Sequence, residues 1–147
     1  MDTFQSSVMV ALLPTTSDWC HIALPHLTLV YAGEIQDLKA TDENELAKTA
    51  LALAMTCPPL MLDVLTKDVL GAGEEQVDTL LLRPTPQLLA MRSVVESWNA
   101  SQYKTFKPHV TVGPVGSASD VIPDYLIFDR IMLGWGDKQL TYRFMVD

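Results

Sequence analysis

Pro25-His26-Leu27-Thr28-Leu29 recurs almost unchanged as Pro108-His109-Val110-Thr111-Val112. The chain holds three histidines, and two of them stand at the same place in this phrase, 83 positions apart. Polar and apolar residues alternate through both copies with a period of two, which is the period of a strand. His26 and Thr28 therefore share one face, with Leu27 and Leu29 on the other. His109 and Thr111 stand likewise against Val110 and Val112. Two such strands each offer an imidazole and a hydroxyl to a groove while sealing a core beneath it.

The rest of the chain reads as short strands and two helices. Residues 9–13 form an apolar run ended by Pro14, and the first motif strand runs from His26 to Tyr31, closed by Gly33. Asp42 followed by Glu45 resembles a helix start, and Leu46, Ala50, Leu53, Ala54 and Cys57 follow at helical spacing until Pro58-Pro59 stops them. Residues 60–65 and 77–82 read as a strand pair joined through Gly71-Ala72-Gly73. That glycine pair is a turn and not a phosphate loop, because no helix start and no Lys-Ser/Thr follows it. Thr85-Pro86 opens a second helix with Leu88, Met91, Val95 and Trp98 as its apolar stripe. Residues 128–133 and 140–146 form a closing hairpin across Gly136-Asp137-Lys138. The pattern predicts one α+β domain spanning 1–147, an imperfect internal duplication. It has two lobes, each a mostly antiparallel sheet backed by a helix, with the motif strands meeting along a central cleft.

Composition narrows the partners. A net charge of −8 excludes long DNA or RNA, which needs a basic surface to displace counterions. Lys104 and Lys107, close to the second motif, can hold a nucleotide phosphate but not a duplex. No run reaches the roughly 18 apolar residues of a membrane span. The opening Met1-Asp2-Thr3-Phe4-Gln5-Ser6 lacks the basic residues of a signal peptide, so a cytoplasmic location is expected. Cys20 and Cys57 are too few for a disulfide scaffold or a zinc cluster. His21, His26 and His109 could supply three nitrogens to a metal. Pro25 interrupts the first two, however, and no supporting carboxylate spacing exists, so neither a metal nor another cofactor is expected.

Two imidazoles facing each other across a groove suit an in-line displacement at phosphorus. One, neutral, takes a proton from the attacking water or hydroxyl, and the other, protonated, gives one to the departing oxygen. Thr28 and Thr111 would donate hydrogen bonds to the non-bridging oxygens. The bland alternative, two part-buried histidines satisfied by nearby backbone and two threonines favoured by strand propensity, does not account for the repeated context. Among the aromatic residues beside the motifs or on loops, Trp19, Tyr31, Tyr103, Phe106 and Trp135 are candidates to stack a base, Tyr103 and Trp135 foremost.

His26-Leu27-Thr28-Leu29 and His109-Val110-Thr111-Val112 resemble the paired His-x-Thr motifs of the 2H phosphoesterase superfamily, the LigT-like fold. Motif order, spacing, size and closing hairpin agree over essentially the whole chain. The resemblance implies a bilobal fold with the four motif residues in the cleft. It also implies metal-independent hydrolysis or transfer at phosphodiesters of small nucleotides: 2′,3′-cyclic phosphates, 2′-5′ or 3′-5′ linkages, or cyclic oligonucleotides. The stretch His26 to Gly33 resembles phage-encoded members in particular. That implies degradation of cyclic oligonucleotide immune signals, an immune-evasion role in the host cytoplasm. The chain departs from several relatives in having Gly113-Pro114 where a basic residue follows the second motif. The phosphate-binding role then falls to Lys104 or Lys107. A protein of the same fold that binds and sequesters a nucleotide without cleaving it is the alternative reading.

Overall fold

Period-two stretches become strands and the two helically spaced stretches become helices in the computed structural model, which describes residues 6–101, 105–119 and 122–146. In chain order the elements are β1 (Ser7–Pro14), β2 (Leu27–Glu34), α1 (Ala40–Thr56), β3 (Leu60–Leu70), β4 (Val77–Leu82), α2 (Pro86–Val95), β5 (His109–Pro114), β6 (Tyr125–Trp135) and β7 (Lys138–Arg143). This is the expected α+β class. Helix α1 opens two residues ahead of Asp42. The Asp42 carboxylate lies inside the first turn, where Oδ2 accepts the Lys39 backbone N–H at 2.8 Å. An acidic group there satisfies an orphan donor and favours the positive end of the helix dipole. Leu46, Ala50, Leu53 and Ala54 are buried as their spacing requires. Helix α2 begins as the sequence indicates, with Thr85 Oγ1 accepting the Leu88 N–H at 3.2 Å and Pro86 in the first turn. Its stripe of Leu88, Met91 and Val95 is buried, whereas Trp98 falls in a following 3₁₀ turn and packs half-buried against the core.

All pairings are antiparallel, in the order β1-β2-β5-β4-β3-β6-β7, and β1 also pairs with β6. The path from β1 through β2, β5, β4, β3 and β6 therefore returns to its start. Strand β6 is the spine. One edge pairs with β1; the other pairs with β3 over Tyr125 to Phe128 and with β7 over Arg130 to Trp135. The two expected sheets are halves of one, sharing β6, with β1, β2 and β7 on one side and β3, β4 and β5 on the other. They are interleaved in the chain, since β1 lies against β6, and α1 packs on β6 and β7 while α2 packs on β2. The closing hairpin turns in two residues, Gly136-Asp137, between the paired Trp135 and Lys138. Gly136 has φ 65°, which glycine adopts without a Cβ penalty. Among the described residues no helix is long and apolar enough to cross a membrane.

Strands β2 and β5 touch through one register pair, Leu27 with Val110. Beyond it β2 bulges. Its register with β1 shifts between the pairs Val10–Val30 and Ala11–Thr28, leaving Leu29 without an opposite residue. A bulge bends its strand, and here it accompanies the parting of β2 from β5 that opens the cleft.

Phe128, where β6 meets both Leu60 of β3 and Pro14 of β1, is 0% exposed. Phe128→Ala is expected to lower unfolding free energy by about 3–5 kcal/mol, measured by equilibrium chemical denaturation.

Candidate active site

The Leu27–Val110 pair sets the site. Both residues are 0% exposed, so their sequence neighbours face the opposite side, into the cleft. Antiparallel counting from that pair puts His26 across from Thr111 and Thr28 across from His109. The four are half-buried. Residues diagonal in such a pair lie roughly 7–8 Å apart, their Cβ atoms somewhat closer, and the two imidazoles occupy diagonal corners.

The prolines explain the ring orientation. Proline holds the preceding residue extended. The carbonyl of that residue then meets the imidazole two positions on: His26 Nδ1 lies 2.9 Å from the Leu24 carbonyl oxygen, and His109 Nδ1 lies 2.8 Å from that of Lys107. A carbonyl only accepts, so Nδ1 carries a proton in both rings and Nε2 is the nitrogen left for chemistry. The Pro108 carbonyl is itself anchored by the Leu82 N–H at 3.0 Å, and the Val112 carbonyl by the His21 N–H at 2.7 Å. The two rings differ in setting. Burial lowers the His26 pKa below the usual 6.5; the Leu24 carbonyl opposes this, and the His109 charge adds to the lowering. That influence places the two rings in one electrostatic neighbourhood.

Two cavities open on either side of the quartet. One, of about 620 Å³, is lined by Thr28 and His109 together with Tyr31, Arg92, Phe106 and Lys107. The other, of about 810 Å³, is lined by His26 and Thr111 with Met9, Ile22, Glu74 and Glu75. Each holds one histidine and one threonine from opposite motifs, as the antiparallel pairing demands. The tip of the β3–β4 hairpin contributes to both: Leu70, Gly71 and Ala72 to the first, Glu74 to Val77 to the second. The Gly71-Ala72-Gly73 turn thus forms part of the cleft wall.

Of the expected substrate contacts, Tyr31 and Lys107 line the first cavity. The Tyr31 hydroxyl donates to Glu34 Oε1 at 3.0 Å, and Lys107 Nζ lies 3.5 Å from Asp68 Oδ2. Phe106 lines the same cavity, whereas Trp19 packs half-buried against the core. Tyr103 and Lys104 lie outside the described residues. Trp135 also packs against the core and is not among the described residues lining either cavity; its neighbours Gly134 and Gly136 line the second. Among the described residues no three His, Cys, Asp or Glu side chains are grouped to hold a metal ion.

Sequence reasoning misses Arg92. It reaches from α2 to donate, through Nη1, to the Leu29 carbonyl at the bulge, and its guanidinium lies 5.1 Å from the centre of the Phe106 ring. The Ala100 N–H serves the Tyr31 carbonyl in the same way at 2.9 Å. These donors replace the strand that β5 no longer provides. A signal is present: Arg92 stands four residues after Leu88, on the flank of the buried stripe.

Neither a protein-family model nor a curated protein sequence matches the chain. Solved structures do. Escherichia coli LigT, in complex with 3′-AMP, is 20% identical with a TM-score of 0.54, covering 94% of both chains. This is the LigT-like fold. TT0787 of Thermus thermophilus shares that fold at 13% identity and a TM-score of 0.63, over 94% of this chain and 97% of its own. Usb1 of Kluyveromyces marxianus does so at 12% identity and 0.65, over 95% and 98%. In the LigT-like fold of this chain, Arg92 and the Ala100 N–H together serve the edge of β2 that β5 leaves. Arg92→Met is expected to cost about 1–3 kcal/mol by leaving a part-buried carbonyl unpaired, read as a lowered denaturation midpoint.

Proposed function

We propose that the protein is a 2H-type phosphodiesterase that hydrolyses small nucleotide phosphodiesters without a metal, using His26 and His109 as an acid–base pair. One observation carries this reading. Two imidazoles, each with Nδ1 committed to a backbone carbonyl, flank one groove at diagonal corners around the Leu27–Val110 pair. A phosphodiester seated over that pair has a proton acceptor on one side and a donor on the other, as in-line displacement requires. His26, buried and held toward its neutral form, takes the proton of the attacking water through Nε2. As the new P–O bond forms and the ester P–O bond breaks, His109 gives the proton on its Nε2 to the leaving oxygen. Thr28 and Thr111 donate to the non-bridging oxygens, where charge builds. Tyr31 and Lys107 contact the nucleotide beside the phosphate.

LigT structures solved with 3′-AMP, NADP+ and ATP support a small nucleotide as ligand. The substrate range of the proposal covers 2′,3′-cyclic, 2′-5′ and 3′-5′ linkages and includes cyclic oligonucleotide immune signals in the host cytoplasm.

His26→Ala and His109→Ala are each expected to lower kcat by about 10²–10⁴-fold. A panel of 2′,3′-cyclic mononucleotides, 2′-5′ oligoadenylates and cyclic dinucleotides, incubated in EDTA, reads this out. Undiminished turnover in both variants overturns the assignment, and tight binding with no cleavage by the native protein favours sequestration. The pH profile follows from the sign of the His26 shift. Protonated His26 has no lone pair for the water proton, so activity falls as pH drops through its lowered pKa. The acidic limb of kcat/KM is therefore expected below pH 6.5 and is expected to vanish in His26→Ala.

A further inference from the structure

The two cavities are alike in their catalytic corners and opposite in charge. The Thr28–His109 cavity has Arg92 and Lys107 in its lining and no carboxylate among the described residues. The His26–Thr111 cavity has Glu74 and Glu75 and no lysine or arginine among them. At about 620 and 810 Å³, each is of a size that takes a nucleoside. Each also has apolar surface for a base: Tyr31 and Phe106 in the first, Met9, Ile22 and Met132 in the second. Arg92 commits one nitrogen to the Leu29 carbonyl, which leaves its charge intact. Lys107 is paired with Asp68 at 3.5 Å, but both side chains are about half exposed, and a pair of that kind is weak enough for a phosphate to compete with. The hairpin tip supplies Glu74 and Glu75 shortly after the uncharged Gly71-Ala72 that faces the other cavity. One loop thus sets a polarity along the cleft.

We infer that the cleft reads its substrate directionally. The preferred substrate is a linear phosphodiester with a nucleoside on each side of the scissile phosphate. Its further phosphate lies on the Arg92–Lys107 side, and an uncharged terminal nucleoside fills the Glu74–Glu75 side. This rests on the phosphodiesterase reading and selects within its substrate class. A mononucleoside 2′,3′-cyclic phosphate fills one cavity only. A substrate with phosphates continuing on both sides meets two carboxylates on one of them. Glu74 and Glu75 are specificity determinants in this scheme, acting by repulsion.

The test uses four dinucleotides in the 3′-5′ series, and the same four in the 2′-5′ series. They carry no terminal phosphate, one at the 5′ end, one at the 3′ end, or one at each. Affinity is measured for the intact protein, and kcat/KM alongside it. One terminal phosphate is expected to tighten binding and the other to weaken it, each by about two- to fivefold, the scale of exposed charge contacts. Both effects should shrink with added salt. Glu74→Gln/Glu75→Gln is expected to remove the unfavourable effect and Lys107→Gln to reduce the favourable one. Equal effects of the two phosphates, or a ratio unchanged in both variants, overturn the inference. Polarised binding with no cleavage overturns the phosphodiesterase reading and leaves the polarity standing.

Discussion

Everything in the cleft depends on Leu27 facing Val110. That one buried contact joins the two halves of the sheet at their inner edge, and it fixes which of four polar residues stand opposite one another. Had β2 and β5 paired along their full length, the quartet would lie on an ordinary sheet face with no room beside it. Had they not met at all, the two motifs would be unrelated surfaces. The bulge at Leu29 and the donors from Arg92 and Ala100 allow β2 to leave β5 after one pair without stranding its carbonyls.

The repeated motif is symmetric in sequence but not in setting. The same Pro-His geometry ties both rings to the carbonyl two residues back, so tautomer and reactive nitrogen are shared. What separates the rings is burial, which presses on His26 and makes its neutral form the easier one. In the proposed mechanism, the division of labour between base and acid comes from the surroundings of two like residues, a common way for proteins to set acid–base roles.

Much of this is legible in local sequence. Strand and helix positions follow from period and punctuation: Thr85-Pro86 caps its helix as its residue types indicate, and β4 keeps its expected bounds. The start of α1 lies ahead of its expected place because a carboxylate in the third helical position can satisfy the same backbone donors as one at the cap. The prolines are visible as part of the repeat, while their service to the imidazoles needs three-dimensional carbonyl positions. The position of Arg92 beside the stripe of α2 is visible, but its partner, the hairpin tip and the core placement of Trp135 are not legible, because each depends on which distant strand lies alongside. The pairing of β1 with β6 joins residues more than a hundred positions apart in the chain, and no periodicity encodes it.

Strand β6 carries a further consequence. Its first four residues belong to one half of the sheet and its last six to the other, with Phe128 near the crossing. Side chains along a strand alternate, and the register of β6 with β1 skips Asp129 between Phe128 and Arg130, so this one unpaired residue sets the phase of one half against the other. The two lobes are phase-locked. The hairpin tip and the loops around the cleft lie outside this spine, so their lengths can change without disturbing its phase. Variation in what this scaffold accommodates is thereby channelled to the hairpin tip and the loops around the cleft.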